Sequence, residues 1–115
     1  MFEVKILENS KYLWVDLKGK LMTEENGGEM FKLICDNLSE NRSIVILNLL
    51  NLEYINSSGF NNILKILTKS RNLGGDSILC NLNSVIEKLL ITTKLNTIFK
   101  VQNQIENLED FINKN

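Results

Sequence analysis

From Ile44 to Leu49 the chain reads Ile-Val-Ile-Leu-Asn-Leu, nearly all apolar and rich in branched side chains. Branched residues fit a pleated surface better than a helix. With no polar face to turn toward water, the segment predicts a central strand buried on both sides. It is far short of the roughly 20 apolar residues of a membrane-spanning helix, so no insertion into a membrane is expected. A strand of this kind needs cover above and below, which the rest of the chain must supply around one sheet. A chain of 115 residues buries roughly two thirds of its unfolded surface. That suffices for one core, and a single domain over residues 1–115 is expected.

The flanking periodicities supply the other elements. Residues near Val4 to Leu7 form a candidate edge strand, and Leu13, Val15 and Leu17 alternate with Trp14, Asp16 and Lys18 in a strand that Gly19 ends. Trp14, on the face opposite Leu13, is expected to pack beneath a helix. Thr23 ahead of Glu24 and Glu25 reads as a helix start, with acids at the positive end of the helix dipole. Gly27 and Gly28 weaken that first turn by about 1 kcal/mol each, and Phe31, Ile34, Cys35 and Leu38 form its apolar stripe. After the central strand, a short loop through Asn51 to Asn56 leads to a helix striped by Phe60, Ile63, Leu64 and Leu67. Gly74-Gly75 stops that helix. Ile78 to Leu82 is a further strand. Ser84 with Glu87 makes a capping box for a short helix carrying Ile86, Leu89 and Leu90. Ile98 to Val101 is the last strand candidate, and Ile105, Leu108 and Ile112 stripe a C-terminal helix. The order predicts an α/β fold: a mixed central sheet of four to five strands with about four helices and right-handed crossovers.

Composition narrows function by subtraction. The chain has no histidine, and so lacks the commonest general base and the commonest metal ligand. Ser57 and Ser58 therefore have no triad base, and no G-x-S-x-G surrounds them. Neither G-x-x-x-x-G-K-[ST] nor G-x-G-x-x-G occurs. A net charge of −1 leaves no electrostatic footprint for nucleic acid or an anionic membrane. Cys35 and Cys80 have no ligand spacing and read as buried structural thiols. Glu24, Glu25 and Glu29 read as a solvated helix face, and Lys65, Lys69 and Arg71 as a solvated helix end. The N-terminus shows no basic region followed by an apolar run, which predicts a cytoplasmic protein. The expectation is a protein that is not an enzyme and holds no cofactor or metal.

Where the buried strand gives out, two hydroxyls stand at the start of the next helix. One reading makes Ser57 or Ser58 the N-cap, accepting a hydrogen bond from a first-turn N–H. The other makes one serine a phosphoryl acceptor, since a helix N-terminus offers unpaired N–H groups and a positive dipole end to an anion. A phosphate adds about −1.5 to −2 charges, a change felt by a partner surface more than by the core.

The run Leu52-Glu53-Tyr54-Ile55-Asn56-Ser57-Ser58-Gly59-Phe60 closely resembles the hallmark of the STAS domain, in particular of the bacterial anti-sigma factor antagonists. In that family an apolar strand and a loop lead to Asp-Ser-Ser-Gly-Leu opening a helix. Gly19-Lys20-Leu21 is similar to the family's Gly-x-Leu after the second strand. Asn72-Leu73-Gly74-Gly75 before Ile78-Leu79 is similar to its Gly-Gly turn, and Leu89 to Phe99 to its third helix and exit. The resemblance covers nearly the whole chain. It implies a protein that binds an anti-sigma factor, often a serine kinase with an ATP-binding fold, and so releases a sigma factor. It further implies that the kinase phosphorylates Ser57, that this prevents binding, and that a metal-dependent serine phosphatase reverses it. Met22, Asn56, Ser58 and Gly59 would frame the acceptor at the partner-facing helix end. Asn56 stands where the family carries aspartate, and Met22 where many members carry an acid. Asn61 replaces a common small residue and Lys94 a common glycine. Loss of the two acids is what an alternative within the family predicts: a non-phosphorylated STAS interaction module in a signalling or lipid-transport assembly.

Overall fold

The computed structural model describes residues 1–115. Two strands, β1 (Phe2–Asn9) and β2 (Tyr12–Leu21), form an antiparallel hairpin at one edge of a five-stranded mixed sheet. Next to β2 lie β3 (Ile44–Ile55), β4 (Asp76–Cys80) and β5 (Lys100–Gln102), each parallel to its neighbour. The helices α1 (Glu24–Asp36), α2 (Ser57–Asn72) and α3 (Ser84–Thr92) connect the parallel strands, and α4 (Leu108–Lys114) closes the chain. Val45 to Leu49 are all buried, as a strand covered on both faces requires. On one side Leu13, Val15, Leu17, Val45 and Leu47 meet Met30, Ile34, Ile63, Ile66 and Leu90 from the three connecting helices. On the other, Trp14, Ile46, Ile78 and Cys80 meet Ile105, Leu108 and Phe111. Trp14 is thus buried beneath a helix, as its place on the strand predicts. No helix is long and apolar enough to cross a membrane.

Several boundaries depart from the sequence reading, for reasons that lie in pairing and in caps. Gly19 does not end β2, and no loop spans Asn51 to Asn56. Instead the β2–β3 register shifts between Asp16 and Lys18 and again between Gly19 and Lys20, which lets pairing continue to Leu21↔Ile55. Gly19 has φ of 94°, and a Cβ there would lie 2.0 Å from the Met1 carbonyl oxygen. It bends the strand rather than stopping it. The edge strand is longer than Val4 to Leu7 because the hairpin pairs from Phe2 to Asn9. At β4 pairing begins at Asp76, and the left-handed Asn81 (φ 59°) terminates the strand before Leu82. The Asp76 carboxyl is raised by burial but more strongly lowered by the Ser77 N–H, Lys100 and Arg71, and lies below the ordinary carboxylate range. β5 starts at Lys100 rather than Ile98, which belongs to the exit of a 3₁₀ turn at Leu95–Thr97. Ile105 is buried but precedes α4, whose cap is Asn107.

The α1 stripe is turned from the predicted one. Gly27, Met30 and Ile34 are buried, while Phe31, Cys35 and Leu38 are half-buried. A Cβ on Gly27 would lie 2.4 Å from Asn62 Nδ2, so the missing side chain is what allows α1 to approach α2. The predicted capping box at Ser84 is not formed, because the cap is one residue earlier. Asn83 Oδ1 accepts from the Ile86 N–H at 2.9 Å while its Nδ2 donates to the Leu52 carbonyl at 2.7 Å. An amide can cap a helix and tether it to a strand at once, which a serine hydroxyl at this reach does not. Gly74-Gly75 ends α2 as predicted: Gly75 N–H donates to Ser70 O and Gly74 N–H to Arg71 O, with Gly74 at φ 92°.

Lys94, at the position of the family glycine, has φ of 61°. A non-glycine residue pays about 1–2 kcal/mol to sit there, partly offset by glycine's larger unfolded entropy. Lys94→Gly is therefore expected to stabilise the protein by about 1 kcal/mol, raising the thermal midpoint by roughly 4 °C. Calorimetry of the two proteins checks the sign.

Candidate functional site

Strands β2 and β3 end side by side, at Leu21 and Ile55, and each passes directly into a helix. The N-termini of α1 and α2 are therefore neighbours, with both positive dipole ends on one side of the sheet. Asn56 joins the two turns. Its N–H donates to Leu21 O at 3.3 Å, its Oδ1 accepts from the Gly59 N–H at 2.9 Å, and its Nδ2 donates to Met22 O at 2.7 Å. The N-cap is thus Asn56 and neither Ser57 nor Ser58. The amide accepts at one end and donates at the other, so it satisfies the helix and ties it to the β2–α1 turn.

That double use explains why a neutral amide fits where the family carries a carboxylate. Asp would cap α2 and gain about 0.3–1 kcal/mol from the dipole, but it would aim an oxygen at the Met22 carbonyl. Asn56→Asp is accordingly expected to lower stability by about 1 kcal/mol near neutral pH, read as a lower urea midpoint at unchanged slope.

The two serines differ in their surroundings. Ser58 donates its hydroxyl to the Glu24 carboxylate in the first turn of α1. Its carbonyl accepts from Asn62 Nδ2 at 3.1 Å. Ser57 is the first residue of α2 and is exposed. Met22 lies on the same surface, 45% exposed. Gly59 is buried beneath it: a Cβ would lie 2.6 Å from Ile55 Cγ1 and 2.8 Å from Leu21 O, so the bare backbone rests on both strand ends. The structure therefore brings Met22, Asn56, Ser57 and Ser58 together, with Gly59 as their floor. Glu24 is the member that sequence reasoning placed on a merely solvated face. Its partner lies 34 positions away, and no local spacing signals such a pair.

The thiols lie elsewhere. Burial pushes the Cys80 thiol up to about 12, and burial also raises half-buried Cys35 against an opposing pull from Lys69. Both are free cysteines and stay protonated near neutral pH.

No curated protein matches the chain in sequence. Among solved structures, TM1081 of Thermotoga maritima aligns with a TM-score of 0.74 at 23% identity, over 98% of this chain and 92% of its own. The anti-sigma factor antagonist SpoIIAA in its unphosphorylated form gives 0.78 at 17% identity, over 99% and 95%. The phosphorylated form of SpoIIAA, from Bacillus, gives 0.73 at 17% identity, over 99% and 98%. An anti-sigma factor antagonist from Mycobacterium paratuberculosis gives 0.78 at 12% identity, over 99% and 93%. These are likenesses of fold. The sequence profile of the STAS domain, however, matches residues 4–108, nearly the whole chain, and the chain belongs to the STAS domain family.

Proposed function

We propose that the chain is an anti-sigma factor antagonist that works by being bound. Its partner is an anti-sigma factor with serine kinase activity, and phosphorylation of Ser57 switches the binding off until a serine phosphatase restores it. The observation that carries this reading is the difference between the adjacent hydroxyls. Ser58 is committed to Glu24, whereas Ser57 is exposed at a helix N-terminus, where an anion meets unpaired N–H groups. Met22 and Asn56 lie on the same surface and form part of the partner contact, with Gly59 setting its floor. Glu24 brings a carboxylate beside the acceptor, although Asn56 and Met22 have replaced the family acids.

The test is phosphoryl transfer from ATP by the cognate anti-sigma kinase, followed by mass spectrometry of the product. Ser58→Ala is expected to accept one phosphate as the native chain does, and Ser57→Ala none. Stable binding to that kinase with no phosphate on Ser57 would favour the non-phosphorylated interaction module, the reading that the neutral Asn56 supports.

A further inference from the structure

The two edges of the sheet are unequal. β5 has three residues and β1 has eight. Natural edge strands are kept from pairing by shortness, proline, bulges or charged side chains, lysine above all. Along Phe2 to Ile6 β1 has only the last of these, and its two charges, Glu3 and Lys5, are opposite in sign and so can pair with each other across two copies. The chain contains no proline, and the β1–β2 register runs unbroken from Phe2↔Gly19 to Asn9↔Tyr12. Glu3 and Lys5 alternate onto the open face, while Phe2, Val4 and Ile6 lie half-buried against the helix-covered core. Lys20 N–H donates to Met1 O, and antiparallel ladder bonds recur at every second residue. The odd-numbered residues of β1 therefore bond to β2, and Phe2, Val4 and Ile6 turn their N–H and C=O groups outward.

We propose that this edge pairs antiparallel with β1 of a second copy of the chain, with the two-fold axis beside Val4. Two-fold symmetry and the outward even-numbered groups leave few registers. Centring on Glu3 or on Lys5 sets a like charge opposite itself. Centring on Ile6 sets Glu8 against Val4. Centring on Val4 sets Phe2 opposite the partner's Ile6 and Glu3 opposite the partner's Lys5. The same register sets Met1 opposite the partner's Leu7, covering side chains that are 83% and 57% exposed in the single chain. The groove between β1 and α1, lined by Phe2, Val4, Met30 and Leu33 with Asn26 and Glu29 at its polar side, meets its own copy across the axis. Charge and apolar complementarity thus select one register. The result is a continuous ten-stranded sheet whose two Ser57 surfaces lie at opposite ends. This pairing is independent of what binds at Ser57.

Sedimentation equilibrium of the full chain at high micromolar concentration tests it. The native protein is expected at twice 13.2 kDa. Glu3→Lys alone and Lys5→Glu alone set like charges opposite each other in both contacts, and each is expected at the mass of one chain with an unchanged far-ultraviolet spectrum. Mixing the two variants restores opposite charges in both contacts and is expected to restore the mass of two chains. A native protein at the mass of one chain overturns the proposal. So does either variant alone remaining paired, or a mixture that fails to pair.

Discussion

Gly59→Ala is expected to lower the free energy of unfolding by about 1–3 kcal/mol, a large share of the roughly 5–15 kcal/mol available to a domain. The added carbon would lie 2.6 Å from Ile55 Cγ1, 2.8 Å from Leu21 O and 2.9 Å from Leu21 Cγ. One of these is backbone of β2, held in register with β3, and the others belong to fully buried side chains. Neither can swing away as a surface side chain would. Relief must come from lifting the first turn of α2 off the strand ends, which strains the Asn56 cap above it. Gly28→Ala is the control. A Cβ there meets nothing within 4 Å, and in a helix the alanine gains about 1 kcal/mol. The same one-carbon change thus moves stability in opposite directions 31 positions apart. Urea denaturation of both variants measures it, and a Gly59→Ala protein as stable as the native one would refute the close approach.

That contrast shows what the sequence could and could not say. The apolar run at Ile44 to Leu49, the alternation at Leu13 to Leu17 and the Gly74-Gly75 stop each encode their structure within a few neighbours, and each was legible. The glycines at 27, 28 and 59 are alike in sequence. Their roles depend on Asn62, on open solvent and on Leu21 respectively, partners that only folding brings near. The misplaced caps have the same origin. Serine and asparagine both cap helices, and the choice falls to Asn56 and Asn83 because each also reaches a distant carbonyl, Met22 O or Leu52 O. At the site, the motif located Ser57 and Ser58 at a helix start. The hydroxyl bond from Ser58 to Glu24, which separates the two serines chemically, joins different elements and left no mark in the local pattern.

Ser57→Asp should separate stability from binding. At the first position of α2 the new carboxylate meets the positive dipole end, worth about 0.3–1 kcal/mol in favour of the folded state, so the urea midpoint should hold or rise slightly. The partner surface experiences the opposite. A charge introduced into a closed interface without a counter-ion costs about 2–5 kcal/mol, and Glu24 beside Ser58 already supplies a negative charge. Binding to the proposed anti-sigma kinase should therefore weaken at least about 30-fold, since each 1.4 kcal/mol is tenfold. A phosphate, at about −1.5 to −2 charges, should weaken it further, so the aspartate sets a lower bound. Ser57→Ala removes the acceptor without adding charge and should bind within a few-fold of the native chain. Calorimetric titration of the three proteins into the kinase distinguishes the cases. If Ser57→Asp binds as the native protein does while remaining folded, negative charge at this helix end is not the switch.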